Sequence, residues 1–250
     1  MLTTVQIPTA DGTADAYLVK PDGPGPYPGV LLFADAFGLR PRIAEMATRI
    51  ADRGYAVLAV NLLYRGGPSP LVQPDELTDD QKRDAVFARL GPLIRGLTAD
   101  RIAADSGSYL DFLAAQEGVA DRPVLVVGYC MGGTNALRAI EAHPDRITAV
   151  ATFHAGRLAT DDPDSPHLRV GAITGEAYFA HADHDPSMNA DQIRVLEAAL
   201  DEAGVTYTSE VYTGAAHGFT MSDTAPYNRE AEQRHWVNLF ALLDRALPVS

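Results

Sequence analysis

The stretch VLVVGYCMGGTNAL, Val124–Leu137, is the part of the sequence that decides the fold. Its leading apolar residues run directly into Gly128 and a helix-forming run begins at Met131, so a buried strand is predicted to turn sharply into a helix. Gly128 and Gly132 lie two residues before and two residues after Cys130, where larger side chains would collide in a tight turn. We therefore predict a strand–turn–helix unit with the single cysteine of the chain at its turn.

The sequence on either side of this unit alternates between apolar strands and amphipathic helices. A hairpin is predicted first, because TTVQIP and ADAYLVK alternate apolar and polar residues around Ala10–Gly12. Apolar strands separated by helices indicate a mostly parallel central sheet with helices on both faces, so we predict one α/β domain over 1–250 that begins with an antiparallel hairpin. The later predicted strands are Val30–Asp35, Tyr55–Leu62, Pro123–Tyr129, Ile147–His154, Gly175–Ala182 and Val205–Tyr212. The predicted helices are Arg42–Arg53, Asp79–Leu97 with a break or kink near Gly91-Pro92, Asp100–Gln116, Met131–His143, Asn189–Ala203 and Asn228–Leu247.

Composition and charge limit the classes of function. The chain has 250 residues and a formal net charge of −13, and its Lys and Arg residues form no basic run, so we expect no nucleic-acid partner. No apolar run reaches the ~18 residues of a membrane span, and the N-terminus lacks the pattern of a signal peptide. One cysteine excludes an intrachain disulfide and a cysteine-based zinc site. We therefore expect a soluble, cytoplasmic protein without a membrane partner.

The position of Cys130 suits a nucleophile. Hydrolases with a Gly-x-Ser-x-Gly motif place their reactive serine on a strained turn between a strand and a helix, and here cysteine replaces that serine. Free N–H groups and the dipole at the start of the following helix favour a thiolate and a developing oxyanion. The alternative is that Cys130 is a small buried apolar side chain, as most free cysteines are. The glycines on either side of Cys130 favour the catalytic interpretation.

A nucleophile of this kind needs an acid and a histidine base. In α/β-hydrolases both follow the nucleophile in the sequence, the acid first and the histidine second. His217, in TGAAHGFT, follows a predicted strand and precedes the last predicted helix. Asp185 and Asp183 follow the strand before it, and we prefer Asp185, although the turn at Asp185-Pro186 offers it a structural role as well. The segment 181–185, HADHD, matches no usual metal-site spacing, so no metal is expected.

With these residues in hand, the sequence resembles the dienelactone hydrolase family of α/β-hydrolases from about Ala16 to the last helix. The resemblance implies the α/β-hydrolase fold, a Cys130–His217–Asp185 triad, and an oxyanion hole formed by the backbone N–H groups of Ala36 and Met131. It also implies a small ester or lactone substrate, no cofactor, and a monomer or weak homo-oligomer. The matching motifs are DAFG at Asp35–Gly38, GYCMGG around Cys130, HDP at His184–Pro186 and AAHGF around His217.

Two positions depart from the family pattern. The family usually has glutamate at the position of Asp35, where it contacts the resting thiol and controls its ionisation; the shorter Asp35 leaves that contact open, and a loop-capping role is the alternative. Family members that bind a substrate carboxylate have an arginine four residues after the histidine, where this chain has Met221. Arg65 matches a second such arginine loosely, or is an ordinary solvated residue. A neutral ester or lactone therefore fits the sequence as well as an anionic one.

Three further residues are candidates for the substrate pocket: Tyr64, Tyr129 and His154. Tyr64 lies in the long loop at 62–77, Tyr129 precedes the nucleophile, and His154 ends a strand whose end should face the crevice; packing is the alternative for each. The function predicted is hydrolysis of an activated ester or lactone through a thioester. The alternatives are a thioesterase, a binding protein without turnover, and a redox sensor, the last disfavoured because no second cysteine can resolve a sulfenic acid.

Overall fold

A computed structural model of the chain describes residues 1–77 and 80–249. These residues contain an eight-stranded sheet with helices packed on both of its faces. The strands are β1 (Leu2–Thr9), β2 (Gly12–Val19), β3 (Gly29–Phe33), β4 (Ala56–Val60), β5 (Val124–Tyr129), β6 (Ile147–Phe153), β7 (Glu176–Ala182) and β8 (Thr206–Tyr212). The α-helices are α1 (Pro41–Ala51), α2 (Pro74–Leu77), α3 (Asp80–Arg95), α4 (Ala99–Ala114), α5 (Met131–Ala142), α6 (Ala190–Ala203) and α7 (Arg229–Ala246). Two 3₁₀ helices cover Tyr64–Gly66 and Pro166–Ala172.

The strand order in the sheet is β1-β2-β4-β3-β5-β6-β7-β8. β1 pairs antiparallel with β2, and β2 pairs antiparallel with β4. All later neighbours pair in parallel. Parallel neighbours need crossover connections, which the helices between them supply. The structure confirms the predicted α/β class with its mostly parallel sheet and N-terminal hairpin.

Two hydrophobic cores lie on opposite faces of the sheet. Successive side chains of a strand point to opposite faces, and in β3 Leu31 and Phe33 enter one core while Val30 and Leu32 enter the other. The first core is completed by α4, α5 and α6, and the second by α1 and α7. Burial on both faces explains why the central strands read as continuous apolar runs instead of alternating ones.

The parallel strands bring chemically useful residues to one edge of the sheet. The carboxyl ends of parallel strands meet at the same edge, where open α/β sheets bind their ligands. Asp35 follows β3, Cys130 follows β5, His154 follows β6, Asp185 lies in the turn after β7 and His217 lies in the loop after β8. Residues separated by up to 182 positions in sequence are therefore brought to one region of the molecule.

The helix after the long loop differs from its prediction. The sequence predicts that this helix begins at Asp79, which lies outside the described residues. The structure describes the helix from Asp80 to Arg95. Of the break or kink predicted near Gly91-Pro92, the break is wrong, because α3 continues through Pro92 and Gly96 N–H donates to the Pro92 carbonyl beyond it. None of the described helices is both long and apolar enough to cross a membrane.

Candidate active site

The turn between β5 and α5 has the strained geometry that the glycine pattern implies. Cys130 has φ +53° and ψ −121°, in a region that residues with side chains seldom occupy. A Cβ on Gly128 would lie 2.2 Å from the carbonyl oxygen of Gly132, and a Cβ on Gly132 would lie 2.2 Å from that of Phe33. Neither position therefore tolerates a side chain, and the two glycines allow α5 to begin directly after Cys130.

The structure brings Cys130, His217 and Asp185 together in a line. His217 Nε2 lies 3.0 Å from Cys130 Sγ, and His217 Nδ1 lies 2.5 Å from Asp185 Oδ2. The other carboxylate oxygen of Asp185 accepts hydrogen bonds from the backbone N–H and the hydroxyl of Ser187, at 2.8 and 2.7 Å. The imidazole thus contacts the thiol with one nitrogen and a fixed carboxylate with the other, which is the geometry of an activated nucleophile.

Charge favours a protonated imidazole at this position. Burial is the largest influence on His217 and lowers its pKa, but Cys130 and Asp185 outweigh it through charge and hydrogen bonding and raise that pKa to about 10. Burial is also the largest influence on Asp185 and raises its pKa, but hydrogen bonds from His217 and Ser187 outweigh it, so the pKa of Asp185 is lowered. The carboxylate therefore stays ionised beside an imidazole that holds its proton firmly.

The neighbouring side chains of the 181–185 segment point to separate partners. Asp183 Oδ2 accepts a hydrogen bond from Gly214 N–H at 2.9 Å, so the alternative acid closes a turn after β8. His181 Nε2 lies 3.2 Å from the hydroxyl of Ser209. Asp185 is the residue of the pair that faces His217. Within the described ranges, no group of three or more His, Cys, Asp or Glu side chains is arranged to hold a metal ion.

A cavity of about 710 Å³ opens beside the thiol. Cys130, His217, Ala36 and Met131 all line it. Met131 is the first residue of α5, so its N–H has no carbonyl partner inside the helix, and Ala36 lies in the loop after β3. This placement suits backbone donors to an oxyanion formed next to the sulfur. The remaining lining residues are Phe87, Ile94, Arg95, Leu97, Thr134, Asn135, Arg138, Gly156, Arg157, Thr160, Asp162, Asp164, Ser165, Pro166 and Ser187.

Comparison with known proteins assigns the chain to a family. Residues 14–247 match the Dienelactone hydrolase family, which is nearly the whole sequence. This chain is a member of the dienelactone hydrolase family. A carboxymethylenebutenolidase from Rhodococcus opacus is 26% identical over 223 residues, which cover 88% of this chain and 82% of that protein. The crystal structure of a dienelactone hydrolase candidate from Klebsiella pneumoniae has a TM-score of 0.84 at 22% identity and covers 98% of both chains.

Membership of the dienelactone hydrolase family makes the chain a carboxylic ester hydrolase. A third relative, a carboxymethylenebutenolidase candidate from Synechocystis, is 24% identical over 249 residues and covers 98% of this chain and 97% of that protein. The match therefore extends along nearly the whole length of both proteins. The resemblance inferred from the sequence motifs is confirmed.

Asp35 is held by a buried arginine. Its two carboxylate oxygens accept hydrogen bonds from Arg40 Nη1 at 2.7 Å and Nη2 at 2.9 Å, and Oδ1 also accepts one from Phe37 N–H. Arg40 in turn binds Asp223, beyond His217. Asp35 thus takes part in a buried ion pair and binds the backbone of its own loop, as the loop-capping alternative describes.

Tyr64 and Arg65 do not take the substrate-binding positions predicted for them. Both bind Asp105 of α4, with the Tyr64 hydroxyl donating at 2.9 Å and Arg65 Nη1 at 2.7 Å. Arg65 also pairs with Asp11 in the N-terminal hairpin. Asp105 is only 1% exposed, and a carboxylate buried to that extent requires such partners. These residues hold the hairpin and the loop after β4 against α4.

Tyr129 and His154 lie in packed positions and are not among the residues that line the cavity. Tyr129 is fully buried, and its hydroxyl lies 3.0 Å from His235 Nε2 on α7. His154 is 0% exposed and has its Nε2 2.8 Å from the hydroxyl of Thr220, with its ring set against that of His217 at 5.5 Å. Burial, reinforced by the charge of His217, holds the pKa of His154 well below its usual value. His154 therefore packs against the His217 imidazole as a neutral ring.

Several residues of the site were not found by sequence reasoning. Ser187 lies two positions after Asp185, where an Asx-turn pattern gives a signal that was available. The pair formed by Arg40 and Asp223 has no such signal in the sequence, because the two residues are 183 positions apart. Met221 is buried in the core. The cavity arginines come from other elements, as shown by Arg157 after β6.

Proposed function

We propose that this protein hydrolyses small activated esters or lactones through a thioester on Cys130. The observation that carries the proposal is the line of atoms from Cys130 Sγ through His217 to Asp185, with separations of 3.0 and 2.5 Å, beside a cavity lined by Ala36 and Met131. A cavity of about 710 Å³ is of the size that binds small molecules.

In the first half of the reaction, the thiolate of Cys130 attacks the carbonyl carbon of the ester. The carbonyl π electrons move to oxygen, and the backbone N–H groups of Ala36 and Met131 stabilise the oxyanion; one such donor contributes about 3 kcal/mol to the transition state. The tetrahedral intermediate collapses, the C–O bond to the alcohol breaks, and protonated His217 gives its proton to the departing oxygen. The acyl group remains on Cys130 as a thioester.

In the second half, neutral His217 removes a proton from water, which attacks the thioester carbonyl. Collapse of the second tetrahedral intermediate breaks the C–S bond, releases the carboxylic acid and restores the thiolate–imidazolium pair. Asp185 holds the imidazole with Nε2 toward the sulfur throughout, because Nδ1 stays on its carboxylate at 2.5 Å. Every proton transfer in the cycle therefore uses the same nitrogen of His217.

Leaving-group ability decides which substrates suit a cysteine nucleophile. A thiolate is itself a good leaving group, so an ester alcohol must compete with the sulfur when the intermediate collapses. We expect the kcat/KM of p-nitrophenyl acetate to exceed that of p-nitroacetanilide by at least about a thousandfold, equivalent to about 4 kcal/mol of activation free energy. The two compounds differ only in the bond that is cleaved.

Steady-state kinetics with both compounds test this proposal, with the spontaneous rates measured in parallel. Comparable rates for the anilide and the ester would contradict the thioester scheme. A panel that adds a dienelactone, a neutral enol lactone and an acyl thioester would then place the natural substrate within the ester-hydrolase class. Turnover confined to the acyl thioester would replace the ester proposal with a thioesterase.

Arginines on the cavity wall give a substrate anion a place to bind despite Met221. Arg138 donates to the carbonyl of Leu97 and lies 3.8 Å from Asp164. Among the residues that the structure describes, the side chains of Arg95 and Arg157 have no carboxylate partner, and both line the cavity. An unpaired guanidinium at a substrate pocket favours anionic ligands.

Substitution Arg157→Gln is expected to lower kcat/KM for p-nitrophenyl hemiglutarate by about tenfold, equivalent to about 1.4 kcal/mol. The rate for neutral p-nitrophenyl butyrate should stay within about twofold of wild type, because only the charge interaction is lost. Arg194→Gln removes an equal charge from the exposed face of α6 and serves as the matched control. Equal losses with both esters, or the same loss in the control, would contradict an anion-binding role for Arg157.

A further inference from the structure

We infer that Arg40, joined to Asp223, makes Asp35 a positioning residue of the oxyanion loop instead of a proton partner of the Cys130 thiol. This inference rests on the proposed function, since it assigns a role within the same reaction. It concerns the loop at 35–40, which carries the Ala36 N–H, and the loop at 217–223, which carries His217.

Arg40 closes the oxyanion loop on itself. Its side chain is 3% exposed and donates to Asp35 Oδ1 at 2.7 Å, to Asp35 Oδ2 at 2.9 Å and to the Gly38 carbonyl at 3.1 Å. Asp35 completes the ring by accepting from Phe37 N–H through its carboxylate and from Gly38 N–H through its carbonyl. The backbone on both sides of Ala36 is therefore held by hydrogen bonds that converge on Asp35 and Arg40.

The same guanidinium connects this loop to the one that carries the histidine. Arg40 Nε donates to Asp223 Oδ2 at 2.6 Å, and Nη2 donates to Asp223 Oδ1 at 3.1 Å. A guanidinium has five N–H donors, and the five hydrogen bonds to Asp35, Gly38 and Asp223 match that capacity. The oxyanion donor and the general base are thus tied to a single buried group.

This arrangement leaves Asp35 poorly suited to exchange a proton with the thiol. Both of its oxygens already accept hydrogen bonds from a buried cation, and protonation would leave that cation without half of its counter-charge. Burial lowers the pKa of Arg40, but Asp35 and Asp223 outweigh burial and raise it above its usual value, so the guanidinium stays charged. Asp35 consequently acts on the reaction through the backbone that it orders.

The variants Asp35→Asn and Arg40→Gln test the inference with two readouts. The first is the rate at which iodoacetamide alkylates the protein as a function of pH, which reports Cys130 alone because the chain has one cysteine. The second is kcat and KM for p-nitrophenyl butyrate. We expect both variants to lower kcat by about tenfold to a hundredfold with KM changed by less than about threefold, as a misplaced oxyanion donor should. The alkylation profile of both variants should superimpose on that of the wild type.

A displaced alkylation profile in Asp35→Asn would overturn the inference, because it would show that the carboxylate acts on the thiol. An unchanged kcat in both variants would overturn it as well. If the wild-type protein hydrolyses no ester at all, the proposed function fails, and the alkylation profiles still decide whether Asp35 acts on Cys130. The two failures are therefore distinguishable.

A matched control separates positioning from a general loss of stability. Asp105→Asn weakens another buried aspartate–arginine pair, at Arg65, that lies outside the cavity lining. Thermal unfolding of this variant and of Asp35→Asn shows whether the two are destabilised to a similar extent. We expect Asp105→Asn to keep kcat within about twofold of wild type, because the catalytic loops retain their bonds. A kcat loss equal to that of Asp35→Asn would contradict a specific positioning role.

Discussion

Replacement of Cys130 by alanine is expected to lower kcat for p-nitrophenyl butyrate by about 10⁴-fold or more, as removal of the nucleophile does in triad hydrolases. The sulfur lies 3.0 Å from the imidazole and lines the cavity, so its loss removes the atom that we propose as the acceptor of the acyl group. Steady-state kinetics with correction for spontaneous hydrolysis measure the effect. Retention of more than about a tenth of the wild-type rate would show that another group carries the reaction.

The fold of this variant should be unaffected, because alanine fills less space and carries the same backbone constraint at φ +53°. Circular dichroism and thermal unfolding provide the check. Cys130→Ser is the more demanding control, since it keeps a hydroxyl beside His217. A hydroxyl ionises far less readily than a thiol, so we expect this variant to be at least about a hundredfold slower than the wild type.

The second large effect is expected from Asp185→Asn, which should lower kcat by about 10³- to 10⁴-fold. An asparagine amide can donate a hydrogen bond to Nδ1, and that would turn the imidazole into the tautomer with its proton on Nε2, where it cannot act as a base. Asp183→Asn is the matched control, because Asp183 lies two residues away and binds the Gly214 N–H instead. That variant should stay within about threefold of wild type.

Titration of His217 gives an independent readout of the same pair of variants. The charge and hydrogen bond of Asp185 help to raise the pKa of His217 to about 10, so Asp185→Asn should lower that pKa. Asp183→Asn should leave the titration of His217 as in the wild type. NMR of the imidazole protons across the pH range measures both. Equal impairment of the two variants would contradict the assignment of Asp185 as the partner of His217.

Features of the site that depend on local pattern could be predicted from the sequence. The turn at Cys130 depends on residues that lie close to it in sequence, because Gly128 and Gly132 are each only two positions away. A Cβ on either glycine would collide with backbone oxygens. The order of acid and histidine follows from the order of the strands that end at one edge of the sheet.

Features that depend on distant partners could not be predicted. Asp35 follows a strand in the expected place, but its role is decided by Arg40 and by Asp223, which lies 188 positions further along the chain. Arg65 has the chemistry of a carboxylate-binding residue, and it does bind a carboxylate, namely that of Asp105 within the same chain. A sequence pattern specifies which side chains reach an edge or a loop, whereas their partners are set by tertiary packing.

Mass spectrometry of the protein quenched in acid during turnover of p-nitrophenyl butyrate tests the central claim most directly. The account predicts a single butyryl adduct on the peptide that contains Cys130, removable by hydroxylamine at neutral pH as a thioester is, and absent from Cys130→Ala. An adduct on another residue, or turnover by Cys130→Ala with no adduct on the wild-type cysteine, would contradict it.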